Sequence, residues 1–358
     1  MRLNILFFML AIPPIGMHFA YGQEVFINSS EIINQPHADD AVKTRFLATT
    51  ALLDAAINSL NSINSLVKKE NYRNKIAAFN NPSSSDMGFS LETEIFNAIR
   101  PILDKTKRAN QVKFSEIIST LVSNPAKNKL HVNIFNTGTV FNTLLSMVGN
   151  LAVNEKKITR GDVDSFLVTI GKYFSQYERL KEANVVFDAK VDKFNLKLQE
   201  LQFDIREFMM DLVIILNPKV SRQLLKNKIL EELLLKYLDK EVIDTIIPNS
   251  IRDNTAKGVY YPGDGIKTSK EIVYSLQKLF NEYQLIYAQN YNEIRMVLLQ
   301  TKDLGKNINV KQVDQAVGEF DQLYKDSKEA DVLNLRLNTL SERLKYLVST
   351  EITAPGKN

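Results

Sequence analysis

The sequence predicts an all-α protein, an elongated antiparallel helical bundle with long coiled-coil-like helices. Three observations carry this expectation. Four stretches place apolar residues at alternating steps of three and four, the spacing of one helix face. One of those stretches continues through seven heptads. No strand meander and no glycine-rich phosphate loop interrupts the pattern. The chain has 358 residues, 44% hydrophobic and 24% charged, which are globular proportions and not those of a disordered chain.

The first element is a targeting segment. Residues 1–22 hold one basic residue, Arg2, then an apolar core from Leu3 to Ile12, then small residues at Ala20 and Gly22. That is the layout of a signal peptide, with cleavage expected between Gly22 and Gln23. The apolar core is too short for a membrane span. There is no cysteine anywhere, so a lipid anchor through a cysteine at the cleavage site is excluded. A large exported chain without disulfides fits a bacterial periplasmic or secreted protein better than a secreted eukaryotic domain. The remaining division is a flexible segment at 23–36, a bundle over 37–350 and a tail at 351–358.

The first long helix is expected at 39–79, where Val42, Phe46, Thr49, Leu53, Ala56, Leu60, Ile63 and Val67 keep four–three spacing. A subregion of short helices and low charge follows at about 82–158, with helices at 90–107 and 112–123. The strongest signal comes next. Phe166, Ile170, Tyr173, Tyr177, Leu180, Asn184, Phe187, Val191, Phe194, Leu198, Leu201, Ile205, Phe208, Leu212 and Ile215 form one seam. Its helix is expected at 160–216, opened by a capping pair at Thr159 and Asp162 and ended by Pro218. At 1.5 Å per residue the seam is about 75 Å long, so the molecule must be rod-like. The seam is rich in Phe and Tyr, which suits the wide layers of a three- or four-helix bundle.

Shorter helices are expected at 220–239 and 240–247. Then Val273, Leu276, Phe280, Tyr283, Tyr287, Asn290, Ile294 and Val297 mark a helix over 268–303, opened by Thr268 and Glu271 as a capping box. Leu333, Leu337, Leu340, Leu344 and Leu347 mark the last, over 309–349, with Asn309 and Gln312 in capping positions. The short link at about 304–308 implies antiparallel neighbours. Asn184 and Asn290 are the polar breaks of their seams, read either as a register device or as a wet or solvent-facing layer.

The stretch Gly258 to Gly265 holds three glycines, a proline and two tyrosines. Pro262-Gly263 and Asp264-Gly265 are turn chemistry. Tyr260 and Tyr261 on such a turn are candidates for partner contact, as is the stripe Tyr283, Tyr287 and Tyr291, although the stripe is also expected to be partly buried in the bundle. A calcium site from Asp253 and Asp264 lacks the dense oxygen ligands that ion needs. Arg160-Gly161-Asp162 falls in the first turn of a long helix and not on a loop tip.

Residues 130–154 contain no Asp, Glu, Lys or Arg. Five asparagines argue against a simple membrane span, leaving an interfacial segment or a helix covered by the bundle. Catalysis has little to draw on. Beyond the signal segment only His37 and His131 remain, and no metal spacing or nucleophile elbow occurs. Net charge is +4, or +3 without residues 1–22, and no basic run interleaved with aromatics points to nucleic acid. The expected function is a non-enzymatic structural or interaction protein of the bacterial envelope, a scaffold or adaptor with a protein partner or self-association. No cofactor and no metal are expected, and no small molecule is identifiable. The alternative is a secreted membrane-active or pore-forming protein using 130–154. A third reading is a helical ligand-binding protein with a pocket between helices.

Overall fold

The computed structural model describes residues 36–67, 70–123, 137–252, 259–327 and 330–352. The expected signal segment, residues 23–35, residues 130–136 of the uncharged run, Asp253 and Gly258 lie outside the described residues, as does most of the tail. Among the described residues the chain is helical, with no strand. The helices are α1 (Pro36–Val67), α2 (Glu70–Phe79), α3 (Leu91–Leu103), α4 (Arg108–Ser123), α5 (Thr137–Asn154), α6 (Arg160–Leu216), α7 (Arg222–Leu225), α8 (Leu230–Tyr237), α9 (Lys240–Arg252), α10 (Gly265–Thr301), α11 (Val310–Ser327) and α12 (Ala330–Ile352).

Four rods make the bundle: α1 with α2, α6, α10, and α11 with α12. At 57 residues, α6 is about 85 Å long. Its seam is buried from Phe166 through Leu212; only Ile215 drifts to a half-buried position, and Met209, Val213 and Leu216 take over the interior there. That drift is what a 3.6-residue helix does against a 3.5-residue repeat.

α6 and α10 are antiparallel and stay in register. Arg179 Nη1 donates to Gln300 Oε1, Lys190 Nζ to Gln289 at 2.6 Å, and Lys197 Nζ to Glu282 at 2.6 Å. Each step forward on α6 is matched by an equal step backward on α10, so the pairing does not slip. α10 runs parallel to α1–α2, as Thr49 meets Tyr261, Val67 meets Tyr287 and Tyr72 meets Asn290. α11–α12 returns antiparallel to α1–α2, joined by Lys75 to Glu319 and Arg336 to the carbonyl of Asn58.

α10 packs against α6, α1, α11 and α12 at once. It therefore buries Ile272, Leu279, Ile286 and Leu298 in addition to its seam, a wider face than the sequence pattern showed. The short helices cap the two ends. α3 and α5 pack on the start of α6, whereas α7, α8 and α9 fold back beside its end, α8 and α9 also against α1.

Several boundaries differ from the sequence expectation. The 268–303 helix begins at Gly265, with Asp264 at its cap and no side-chain cap bond. Thr268 and Glu271 lie inside the helix and form no capping box. The turn Gly265 N to Pro262 O at 3.0 Å starts the helix three residues early. The 220–239 element is two helices, because Ser221 caps a single turn and a second helix opens at Leu230. At Thr159 and Asp162 the reciprocal capping box is present. At Asn309 only half of it forms: Asn309 Oδ1 accepts from Gln312 N at 3.2 Å, while Gln312 Nε2 reaches Ser85 Oγ instead.

Candidate functional site

The two loop tyrosines part ways. Tyr260 is 64% exposed. Tyr261 turns inward, where its hydroxyl meets Thr49 Oγ1 at 2.7 Å and its ring stands edge-on to Phe46 at 5.5 Å. A Cβ on Gly265 would lie 2.7 Å from that ring, so the glycine is what lets Tyr261 lie over the first turn of α10. Burial raises the Tyr261 hydroxyl above its ordinary range. Tyr261 ties the loop to α1 and leaves Tyr260 exposed.

The tyrosine stripe is an interior feature. Tyr283 and Tyr287 are each 3% exposed and pack against one another with tilted rings 4.4 Å apart, so they are core residues and not a contact surface. Tyr287 also meets Phe187 and Tyr72. Tyr72 stacks on Phe320, and Phe320 on Tyr291. The rings of α2, α6, α10 and α11 thus form one continuous aromatic cluster, bulky layers of the kind a four-rod bundle holds. Tyr291 is half-buried, lies flat on Tyr324 at 3.9 Å and donates to Asp321 Oδ1 at 2.6 Å. It joins α10 to α11.

The polar breaks Asn184 and Asn290 are both buried, which removes the solvent-facing reading. They share one level of the bundle. Asn290 Nδ2 donates to the carbonyl of Ala183 at 3.2 Å, and Asn290 Oδ1 accepts from Tyr72. Asn184, 2% exposed, has no hydrogen-bond partner for either amide atom among the described residues.

α5 carries the described part of the uncharged run. It buries Thr137, Val140, Leu144 and Val148, with α6 as its main neighbour. Its outer face presents Asn142, Leu145, Ser146, Asn150 and Val153. Among the described residues no helix is long and apolar enough to cross a membrane.

Asp162 of the Arg-Gly-Asp triplet is already engaged. Its carboxylate accepts from Lys105 Nζ at 2.6 Å and from the backbone N–H and hydroxyl of Thr159 at 2.8 Å. These bonds, that of Lys105 foremost, hold its carboxyl down to about 2.

Sequence reasoning missed a cleft of about 460 Å³ at the end of the bundle where α6 begins. α3 contributes Glu94, Asn97 and Ile102; α6 contributes Asp162, Ser165, Phe166, Thr169, Lys172 and Tyr173; the α10–α11 link contributes Lys306 and Asn307. The link crosses the 80–90 loop here, where Asn309 N donates to Gly88 O at 2.9 Å. Gly88 takes φ +79°, and a Cβ there would lie 3.0 Å from Asn309 O, so the crossing requires glycine. Glu94 is 5% exposed. Tyr173 hydrogen-bonds to it, and burial followed by that carboxylate pushes the phenol far up. Asn307 Nδ2 stands 3.5 Å from Glu94 Oε2. Among the described residues no group of three or more His, Asp and Glu side chains is placed to hold a metal. The sequence carries no signal for this cleft beyond a serine cap before α3, because its residues come from three distant segments.

In comparison with known proteins, no family model, no curated protein and no solved structure matches the chain.

Proposed function

We propose that the protein is a non-enzymatic scaffold or adaptor, exported to the bacterial envelope, that holds a partner at a set distance along a stiff rod. The observation that carries this reading is the unslipped register of α6 against α10 from Arg179–Gln300 to Lys197–Glu282. Long rods locked by packed aromatic layers resist bending and sliding. Such stiffness serves spacing and docking. Tyr260, just before α10, is an exposed aromatic that a partner would meet, and aromatic side chains are over-represented among the residues that dominate binding. The test is cross-linking in the native cell and affinity purification of the tagged protein. A specific envelope protein recovered in quantity, and weakened by Tyr260→Ala, supports the reading. Recovery of the chain alone from the culture medium counts against it.

One observation favours a second reading, a secreted membrane-active protein. α5 has no charged side chain and its outer face is neutral, so moving it from α6 to a lipid interface incurs no charge desolvation. Dye release from liposomes by the purified protein, abolished by Leu145→Asp, would support it. Release that is unchanged by Leu145→Asp removes α5 from that role.

A further inference from the structure

We propose that the bundle-end cleft binds a small zwitterion, a free amino acid or dipeptide, with its ammonium on Glu94 and its carboxylate on Lys172 and Lys306. Glu94 is a buried carboxylate on the wall of this cleft. Taking a carboxylate out of water is costly unless a positive charge accompanies it. Tyr173 and Asn307 supply hydrogen bonds, and the first turn of α3 supplies a partial positive charge. None of these supplies a full one. The other acid of the cleft, Asp162, has its cation in Lys105. Glu94 makes no ion pair among the described residues, although it lines an open space. An ionised carboxylate accepts about four hydrogen bonds, so room remains for an ammonium donor.

The opposite charge is present on the same cleft. Lys172 and Lys306 both line it, both are exposed, and neither has an acidic partner among the described residues. A buried anion and two uncommitted cations around one space match a ligand with the reverse arrangement. The remaining walls suit the rest of such a molecule. Asn97, Ser165 and Thr169 offer an amide and two hydroxyls to a peptide group, and Ile102 and Phe166 offer apolar contact to a side chain. The volume of about 460 Å³ falls within the ~300–1,000 Å³ of small-ligand sites.

This inference is independent of the scaffold reading, which rests on the rods and not on the cleft. The experiment is calorimetric titration of the purified protein at low salt with the twenty free amino acids, with Ala-Ala, and with N-acetyl-Ala-Ala and Ala-Ala-amide. The expected result is saturable binding of Ala-Ala or of at least one amino acid. Acetylating the ammonium of the bound compound should weaken binding at least tenfold, as should Glu94→Gln, which keeps the shape of the side chain but removes its charge and turns one accepting oxygen into an amide donor. Lys172→Gln combined with Lys306→Gln should erase the preference for the free carboxylate over the amide. Absence of binding by every probe overturns the proposal. So does equal binding of the acetylated form, or unchanged affinity in Glu94→Gln. If Glu94→Gln fails to fold, the acetylated compound against the unaltered protein decides the matter.

Discussion

The Tyr72 hydroxyl donates to Asn290 Oδ1 at 2.8 Å in the interior of the bundle, and the same Asn290 donates onward to the carbonyl of Ala183. One amide therefore joins α2, α10 and α6 in a place that water does not reach. Tyr72→Phe leaves a buried acceptor unmet and should cost about 1–3 kcal/mol. A double-mutant cycle with Asn290→Ala in urea should return a coupling of about 0.5–3 kcal/mol. Additive losses would mean that the bond adds nothing beyond packing.

Asn184 lies at the same level with both amide atoms unpartnered. A buried polar group without a bond is a cost, so Asn184→Leu should stabilise the fold by about 1–3 kcal/mol, read as a higher urea midpoint at unchanged slope. A fall in the midpoint would show that the amide is solvated inside the bundle or pairs with something there. A change of oligomeric state by light scattering would assign it a register role.

Two glycines should respond in opposite directions. Gly265→Ala places a methyl 2.7 Å from the Tyr261 ring. It should displace that ring from Thr49 and Phe46, at about 1–3 kcal/mol. Gly149, inside α5, has nothing within 4 Å of its would-be Cβ. Gly149→Ala should stabilise by about 0.4–1 kcal/mol through the unfolded chain. Thermal melts of the two variants check the contrast.

Acid should loosen the start of α6 in a defined window. Asp162 is held down to about 2 against an ordinary 3.8, so the folded state binds its proton less readily than the unfolded one. Its contribution is present above about pH 4 and is lost as pH falls toward 2. Hydrogen exchange at the first turn of α6 should rise across that interval, and Asp162→Asn should flatten the change. A profile that is identical in the variant assigns the acid sensitivity elsewhere.

Alkali should act through the buried phenols. Tyr287 and Tyr291 are each pushed up to about 12, chiefly by burial. The folded state holds those protons more tightly, so their contribution is complete below pH 10 and is lost as pH rises from 10 through 12. Part of the tyrosinate absorbance should therefore appear only with loss of the circular-dichroism signal. Tyr287→Phe should move unfolding to higher pH. Complete ionisation of the folded protein before any unfolding would contradict the burial of the cluster.

The long helices were legible because a seam is a local property of the chain. Phe166 to Leu212 are seven-residue neighbours, and spacing alone says which side of the helix must leave water. The capping box at Thr159 and Asp162 was legible for the same reason, spanning only four residues. Where a boundary depended on something distant, local reading failed. Gln312 abandoned its own cap for Ser85, and Gly265 opens a helix under a tyrosine that is held from α1.

By itself the sequence determined the all-α class, the long rods and the buried seams, since each follows from periodicity along one segment. Only the tertiary structure decided which seams meet, that α10 is enclosed on a wider face, that Tyr261 turns in while Tyr260 stays out, and that Glu94, Tyr173 and Asn307 surround one cleft. Those outcomes depend on how separately folded helices dock, and docking is fixed by side-chain fit between residues far apart in the chain, which no local spacing encodes.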